Sequence, residues 1–172
     1  MFIPADAEEM LPLCNEKGEI TGKAMRSFCH RNPDAIHPVV HVHIINSDGK
    51  IYLQKRSMKK LIQPGKWDTS VGGHITYGES IETALKREAY EEAGVKDVDF
   101  IKITGYLWQC SRESEFINVY KCLFNNPVII SPEEIDQGKF FSKSEIKNYT
   151  GKNFFTPNFE YEYEKIKDLL YF

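Results

Sequence analysis

A glycine-flanked segment, GHITYGESIETALKREAYEEAGV over residues 73–95, constrains the fold more than any other part of the chain. It predicts a helix over residues 80–93, in which Ser80 caps the N-terminus and Gly94 follows the C-terminus, where a left-handed glycine commonly ends a helix. Apolar residues at helical spacing predict the side that packs on the rest of the protein, namely Ile81, Ala84, Leu85 and Ala89.

The same segment carries a cluster of glutamates. Glu91 and Glu92 lie three and four residues after Glu88, so the three carboxylates emerge from one face of the helix. Like charges this close cost helix stability unless a cation is bound, and carboxylate oxygens suit Mg²⁺ or Mn²⁺. Because Mg²⁺ commonly bridges carboxylates and substrate phosphates, the cluster indicates a phosphate-containing substrate. A solvated face with an Arg87–Glu91 pair is the alternative interpretation of the glutamates alone.

The segment matches the Nudix box, G-x5-E-x7-R-E-U-x-E-E-x-G-U with U aliphatic, at every position: Gly73, Glu79, Arg87, Glu88, Ala89, Glu91, Glu92, Gly94 and Val95. The chain therefore resembles the Nudix hydrolase superfamily. The resemblance implies an α/β fold, a Nudix-type α/β/α sandwich with a mixed β-sheet and a loop–helix–loop catalytic motif. It also implies Mg²⁺-dependent (or Mn²⁺-dependent) hydrolysis of a diphosphate linkage in a small molecule, such as a nucleoside diphosphate derivative.

The resemblance also implies roles for individual residues. Glu88, Glu91 and Glu92 would be the catalytic, metal-binding carboxylates. Arg87 would orient a glutamate, and Glu79, just before the helix, would support the loop or a second metal. The general base varies within the family, so Glu88 and a residue outside the box are both open. The two glycines of the box would admit tight backbone geometry at the ends of the motif.

The remaining sequence predicts a mixed α/β domain, because strand patterns occur before, between and after helices. A hairpin is predicted over residues 11–24. Strands are predicted over residues 37–46, 51–56, 69–75, 99–109, 116–124 and 139–141, and further helices over residues 142–149 and 159–171. We expect a single Nudix domain over residues 1–172, with a core at about 36–150, an N-terminal hairpin at about 11–30 and a C-terminal helix at about 158–171.

Residues 53–57, 64–68 and 73–74 resemble the isopentenyl diphosphate isomerase branch of the superfamily. That resemblance implies a second metal site formed by His30, His37, His74 and Glu115, for which imidazole ligands favour Zn²⁺ or a related metal. A second glutamate has no evident match, since Ile117 or Asn118 falls near its place. The alternative is that His30 and His37 are ordinary surface residues.

The isomerase chemistry itself is disfavoured, because the catalytic cysteine of that branch would lie two residues before His74, where this chain has Gly72. Two further histidines, His41 and His43, alternate with apolar residues and are predicted on the solvent-facing side of a strand. A non-catalytic module that binds diphosphates is the other alternative to a hydrolase.

Substrate contacts are predicted at Arg56 and Lys55, which belong to a basic stretch, and at Trp67. A solvated basic face is the alternative for the cations, and core packing is the alternative for Trp67. Tyr106 and Trp108 are aromatic residues with the same two possibilities, stacking on substrate or packing in the core.

Composition excludes several classes of function. The formal net charge of −3 argues against broad nucleic-acid binding, and no apolar run approaches the ~18 residues that would span a membrane. Four scattered cysteines without a CxxC pair are typical of free thiols, so we expect a cytoplasmic protein. The resemblance to the Nudix superfamily implies that its partner is a small-molecule diphosphate. The sequence leaves the oligomeric state open, including a homodimer.

Overall fold

The computed structural model describes residues 9–130 and 135–172. The described chain begins with the predicted hairpin, formed by β1 (Met10–Cys14) and β2 (Ile20–Met25), and a short helix α1 (Arg26–Cys29) follows. The hairpin turn contains Asn15, whose side-chain oxygen accepts hydrogen bonds from the backbone N–H groups of Lys17 and Glu19.

A seven-stranded mixed sheet forms the centre of the protein. Its strands are β3 (Ile36–Ile45), β4 (Ile51–Arg56), β5 (Trp67–Asp68), β6 (Val71–His74), β7 (Ile101–Gln109), β8 (Ser114–Leu123) and β9 (Ile135–Phe141). The main path runs in the order β5-β4-β3-β8-β7, while β6 pairs with β3 and β9 pairs with β4. The β3–β8 pair is parallel and the other pairs are antiparallel.

Three helices complete the described fold: α2 (Ile81–Ala93), α3 (Lys143–Tyr149) and α4 (Pro157–Leu170). Two separate apolar clusters line the two faces of the sheet. One contains Val40, Val42 and residues of α2, and the other contains Val39, Ile45 and residues of α4. Because β3 is covered on both faces, nearly all of its side chains are buried, as expected for a central strand. The expected α/β fold is therefore confirmed.

The predicted helix of the glutamate segment is confirmed within one residue at its start. Ser80 Oγ accepts a hydrogen bond from the Thr83 N–H at 3.1 Å, and Gly94 adopts the left-handed conformation with φ of 66°. One detail was wrong: Ile81, predicted on the packing side, is 38% exposed because it lies in the first turn of α2, beyond the sheet-facing residues Ala84 and Leu85.

Two boundaries of the sheet matter for the site. β8 begins at Ser114, two residues earlier than predicted, so it includes Glu115. β5 lies in the stretch between the predicted strands 51–56 and 69–75, where no strand was predicted. Among the described residues, no helix combines the length and apolar character required to cross a membrane.

Candidate active site

The first feature of the candidate site is the close approach of α2 to β6. A Cβ atom placed on Gly73 would overlap the carboxyl group of Glu88, so only glycine allows this approach. Burial raises the pKa of Glu88, and the neighbouring Arg87 guanidinium opposes that shift. The glutamate is therefore held against the strand in a partly desolvated position.

Arg87 lies between the glutamates and connects them to the sheet. It donates to both carboxylate oxygens of Glu79 at 3.0 and 2.9 Å, and it contacts Glu88 at 2.7 Å and Glu91 at 3.3 Å. It also donates to the backbone oxygen of His74 at 3.0 Å. Its hydrogen bonds hold the pKa of Glu79 below the ordinary value. Every contact of Arg87 thus orients a carboxylate or fixes the helix on β6.

Glu92 lies beside Gly72, the residue of β6 that precedes Gly73. One of its oxygens accepts a hydrogen bond from the Gly72 backbone N–H at 3.2 Å and is 3.5 Å from Nε2 of Gln54. By contrast, the Glu91 side chain is 56% exposed. The oxygen-only donor set beside the exposed Gly72 fits Mg²⁺, which binds few protein carboxylates and keeps several waters.

A second group of possible metal ligands includes His74, at the end of β6. The ring nitrogens of His30, His37 and His74 lie within 4.8 Å of one another, and His37 forms a second such group with Glu113 and Glu115. Nε2 of His30 is 3.0 Å from Nε2 of His74, and Nδ1 of His30 is 2.8 Å from Glu113. The end of α1 and the ends of β3, β6 and β8 meet here.

The surroundings of this histidine cluster fit a cation. His37 is fully buried, and its Nε2 atom has no hydrogen-bond partner and is 3.9 Å from Glu115. Burial lowers the pKa of His37 to about 4, so its ring is neutral and able to bind a metal. Burial, assisted by the charge of Glu113, raises the pKa of Glu115 to about 7. Mixed nitrogen and oxygen ligands suit Zn²⁺ or a related transition metal.

Two expectations about this cluster were wrong. His37 is not a surface residue, because β3 runs through the centre of the sheet. No second glutamate was expected, yet Glu113, which lies upstream of Glu115 and not downstream near Ile117 or Asn118, forms a group of possible ligands with His37 and Glu115. The signal in the sequence was the i,i+2 spacing, which places Glu113 and Glu115 on one side at the start of a strand.

His41 and His43 were predicted to face solvent, and this was wrong because α4 covers that face of β3. Glu162 of α4 is fully buried and accepts hydrogen bonds from Nδ1 of His41 at 2.9 Å and from Nε2 of His43 at 2.7 Å. The Tyr106 hydroxyl donates to the same carboxylate at 2.7 Å. These four residues are called the Glu162 network below.

Sequence reasoning missed Glu162, although a signal was present. It occupies a core-facing position of α4, between the buried Phe159 and Ile166. A glutamate among apolar residues at helical spacing predicts a buried partner, since a carboxylate is almost never fully buried unless it is paired.

The three predicted substrate residues have different surroundings. Arg56 is bound to Asp68 at 3.2 Å and to the backbone oxygen of Ile62 at 3.1 Å, so it stabilises the loop after β4. Lys55 is half-buried on β4, opposite Trp67. Trp67 is 8% exposed and packs in the core, with ring centroids 4.9 Å from Phe141, which is the packing alternative.

The aromatic pair Trp108 and Tyr161 lies on the same side of the sheet as the Glu162 network. Their ring centroids are 5.1 Å apart, and Trp108 is half-buried opposite Glu115. Tyr106, by contrast, is buried in the core.

Comparison with known proteins gives a consistent picture. The sequence profile of the NUDIX domain matches residues 35–159. The isopentenyl-diphosphate Delta-isomerase 1 of Photorhabdus laumondii is 29% identical over 172 residues, covering 92% of this chain and 94% of that protein. An uncharacterised Nudix hydrolase of Listeria monocytogenes is 30% identical over 152 residues, covering 86% and 88% of the two chains. A Deinococcus radiodurans crystal structure is similar in fold, with a TM-score of 0.77, 24% identity and coverage of 91% and 98%.

Proposed function

Because the chain belongs to the Nudix family, we propose that it is a Mg²⁺-dependent hydrolase that cleaves a diphosphate linkage in a small molecule. The observation that carries this proposal is the arrangement of carboxylates along β6. Glu88 packs on Gly73, Glu92 accepts the N–H of Gly72, and Arg87 fixes the glutamates around them.

In the proposed reaction, Glu88 and Glu92 hold the metal, with Glu91 as a further carboxylate at the exposed side. A bound Mg²⁺ would neutralise diphosphate oxygens and lower the pKa of a coordinated water. Glu88 would orient the attacking water or accept its proton, a role supported by its partly buried position and raised pKa. Arg87 acts as a positioning residue, since its guanidinium is occupied by Glu79, Glu88 and Glu91.

The test is a screen of nucleoside diphosphate derivatives, dinucleoside polyphosphates, nucleotide sugars and isopentenyl diphosphate with Mg²⁺ or Mn²⁺. We expect cleavage of at least one class, and a fall in turnover of about 10²- to 10⁴-fold in Glu88→Gln, the range for loss of a general base. Glu92→Gln should fall by a comparable factor. Glu82→Gln is the matched control, because Glu82 lies on the same helix, pairs with Lys86 and is exposed.

Full turnover in both Glu88→Gln and Glu92→Gln would sink the assignment of the glutamates. Tight binding of a diphosphate without cleavage of any compound would instead favour a binding module.

A second candidate function is isomerisation of isopentenyl diphosphate, and the histidine cluster is the observation that favours it. His30, His37 and His74 form one group of possible metal ligands, and His37 forms a second group with Glu113 and Glu115, whereas the resemblance to the isomerase branch implied His30, His37, His74 and Glu115. Gly72 opposes it, because a glycine has no thiol to exchange a proton with carbon. Conversion of isopentenyl to dimethylallyl diphosphate by the purified protein would replace the hydrolase proposal with this one.

A further inference from the structure

The Glu162 network holds an imidazole at the border of the candidate active site. The carboxylate of Glu162 can only accept, so His41 donates through Nδ1, at 2.9 Å. This contact fixes the plane of the ring and leaves the Nε2 edge of His41 directed away from α4. Glu162 itself plays no part in the hydrolysis proposed above.

Gly72 leaves space beside the free edge of that imidazole, which belongs to a residue that is 8% exposed. A Cβ atom placed on Gly72 would lie 3.4 Å from both Cδ2 and Nε2 of His41, and 3.6 Å from a methyl group of Thr69. Gly72 is exposed, and it is paired with His41 across β6 and β3. The space that a side chain would fill at residue 72 therefore ends on Nε2 of His41.

The same glycine also connects this space to the proposed metal ligands. The Gly72 N–H donates to Glu92, so the glutamate carboxylate and the imidazole edge adjoin the same residue of β6. A diphosphate bound next to Glu92 would thus lie beside the space in front of His41.

The charge of the imidazole is suited to an anionic ligand. Burial lowers the pKa of His41, but attraction and hydrogen bonding by Glu162 outweigh it, with smaller contributions from Glu115 and Asp68, and raise the pKa to about 9. Burial opposes ionisation of Glu162 as well, yet His41 and His43 hold its pKa well below the usual range. At neutral pH, Nε2 therefore carries a proton.

We propose that His41 contacts the substrate, with its Nε2–H donating a hydrogen bond to a diphosphate oxygen in front of Gly72, and that Glu162 is its positioning residue. This inference rests on the proposed function, because it places the diphosphate at Glu92. A donor fixed before the substrate binds interacts with phosphate oxygens more strongly than a mobile surface cation.

The competing explanation is that His41 only ties β3 to α4. His43 provides the comparison, because it donates to the same carboxylate at 2.7 Å and is fully buried. A purely structural role predicts similar effects of substitutions at His41 and His43. A contact with substrate predicts an effect at His41 alone.

Two substitutions at His41 separate its two nitrogens. In His41→Asn the amide nitrogen takes the place of Nδ1 and keeps the bond to Glu162, whereas nothing replaces Nε2. In His41→Gln the amide reaches the place of Nε2, and the bond from Nδ1 is lost. His43→Gln serves as the matched control. Binding of inorganic pyrophosphate with Mg²⁺ is measured by calorimetry under conditions in which each variant is folded.

We expect binding by His41→Asn to be about 10- to 100-fold weaker, as for loss of a hydrogen bond to a charged group. Binding by His43→Gln should stay within about threefold of the unsubstituted protein, given the scatter of such effects. Binding by His41→Gln should be weakened less than binding by His41→Asn, because its neutral amide still donates from the place of Nε2 although the bond to Glu162 is lost. We also expect the imidazole Nε2 signal of His41 in the ¹⁵N NMR spectrum of the unsubstituted protein to shift when pyrophosphate and Mg²⁺ are added.

Unchanged affinity in His41→Asn, an equal loss in His43→Gln or in His41→Gln, or an unmoved Nε2 signal would each overturn the inference. If those results came from a protein that hydrolyses a diphosphate, the proposed function would stand without it. If the unsubstituted protein neither bound pyrophosphate nor cleaved any diphosphate, the proposed function and the inference would both fail.

Discussion

Replacement of Glu162 by methionine tests the physical account of the buried network. Methionine has a similar volume but no acceptor, so the change removes the common partner of three buried donors. Those donors are His41, His43 and Tyr106, at 2.9, 2.7 and 2.7 Å from the carboxylate.

The magnitude follows from the burial of both partners. Removing one member of a buried ion pair costs about 3–5 kcal/mol of unfolding free energy, because the other member is left without compensation. Since 1 kcal/mol shifts the melting temperature of a domain of this size by about 2–4 °C, Glu162→Met should melt on the order of 10 °C lower. Glu162→Gln keeps one acceptor oxygen and should lose about 1–3 kcal/mol.

The dependence of stability on pH gives a second, independent readout. The folded-state pKa of His41, about 9, lies above the ordinary value of 6.5, so its contribution is complete below about pH 6.5 and disappears as the pH rises through 9. The contribution of Glu162, whose pKa is lowered, disappears only in acid. In Glu162→Met the His41 ring is neutral through burial, so the decline in stability between pH 6.5 and 9 should be largely absent.

The assay is urea unfolding at pH 6, 7, 8 and 9, with Glu164→Met as control. Glu164 lies on the same helix but is 70% exposed, and its substitution should change stability by less than about 0.5 kcal/mol. A loss below about 1 kcal/mol in Glu162→Met would refute the account of the network, given the 3–5 kcal/mol expected for a buried pair. An unchanged decline between pH 6.5 and 9 would refute the assignment of that decline to His41.

Three further predictions concern the rest of the site. Gly73→Ala should displace Glu88 and reduce turnover by at least tenfold while the far-ultraviolet circular dichroism is unchanged, and full activity would contradict the need for a glycine there. Ser80→Ala removes the hydrogen bond to the Thr83 N–H and should cost about 0.5–2 kcal/mol in urea unfolding, without an effect on metal content. Glu113→Gln should lower the affinity for Zn²⁺ about 10- to 100-fold, measured by chelator competition, and should lower the Zn²⁺ content found by elemental analysis after mild purification. Equal affinity would remove Glu113 from the proposed second site.

The parts that could be predicted from the sequence depend on local patterns. The cap at Ser80, the helical spacing of Ala84, Leu85 and Ala89, and the left-handed Gly94 all act within a few residues, so they define α2 before any tertiary contact is known. The resemblance of the box then associates Arg87 with a glutamate, and the structure adds that it contacts three of them.

The missed parts depend on contacts between residues far apart in the chain. His41 and Glu162 are separated by 121 residues, and only the packing of α4 over β3 decides that their side of the strand is buried. An alternating pattern indicates which residues share a face, but it does not indicate which face a later helix will cover. For the same reason, the contact between Glu113 and His30 could not be predicted, because it depends on the parallel pairing of β8 with β3.

Two adjacent glycines explain how one short strand serves both faces of the sheet. Side chains of a strand alternate, so the missing side chain of Gly73 makes room for Glu88 on the α2 face, whereas that of Gly72 leaves space beside His41 on the α4 face. The backbone N–H of Gly72 meanwhile holds Glu92 at the edge between them. A methyl group at residue 73 would thus overlap the carboxyl group of Glu88, whereas one at residue 72 would contact the imidazole of His41, although both residues belong to the same strand.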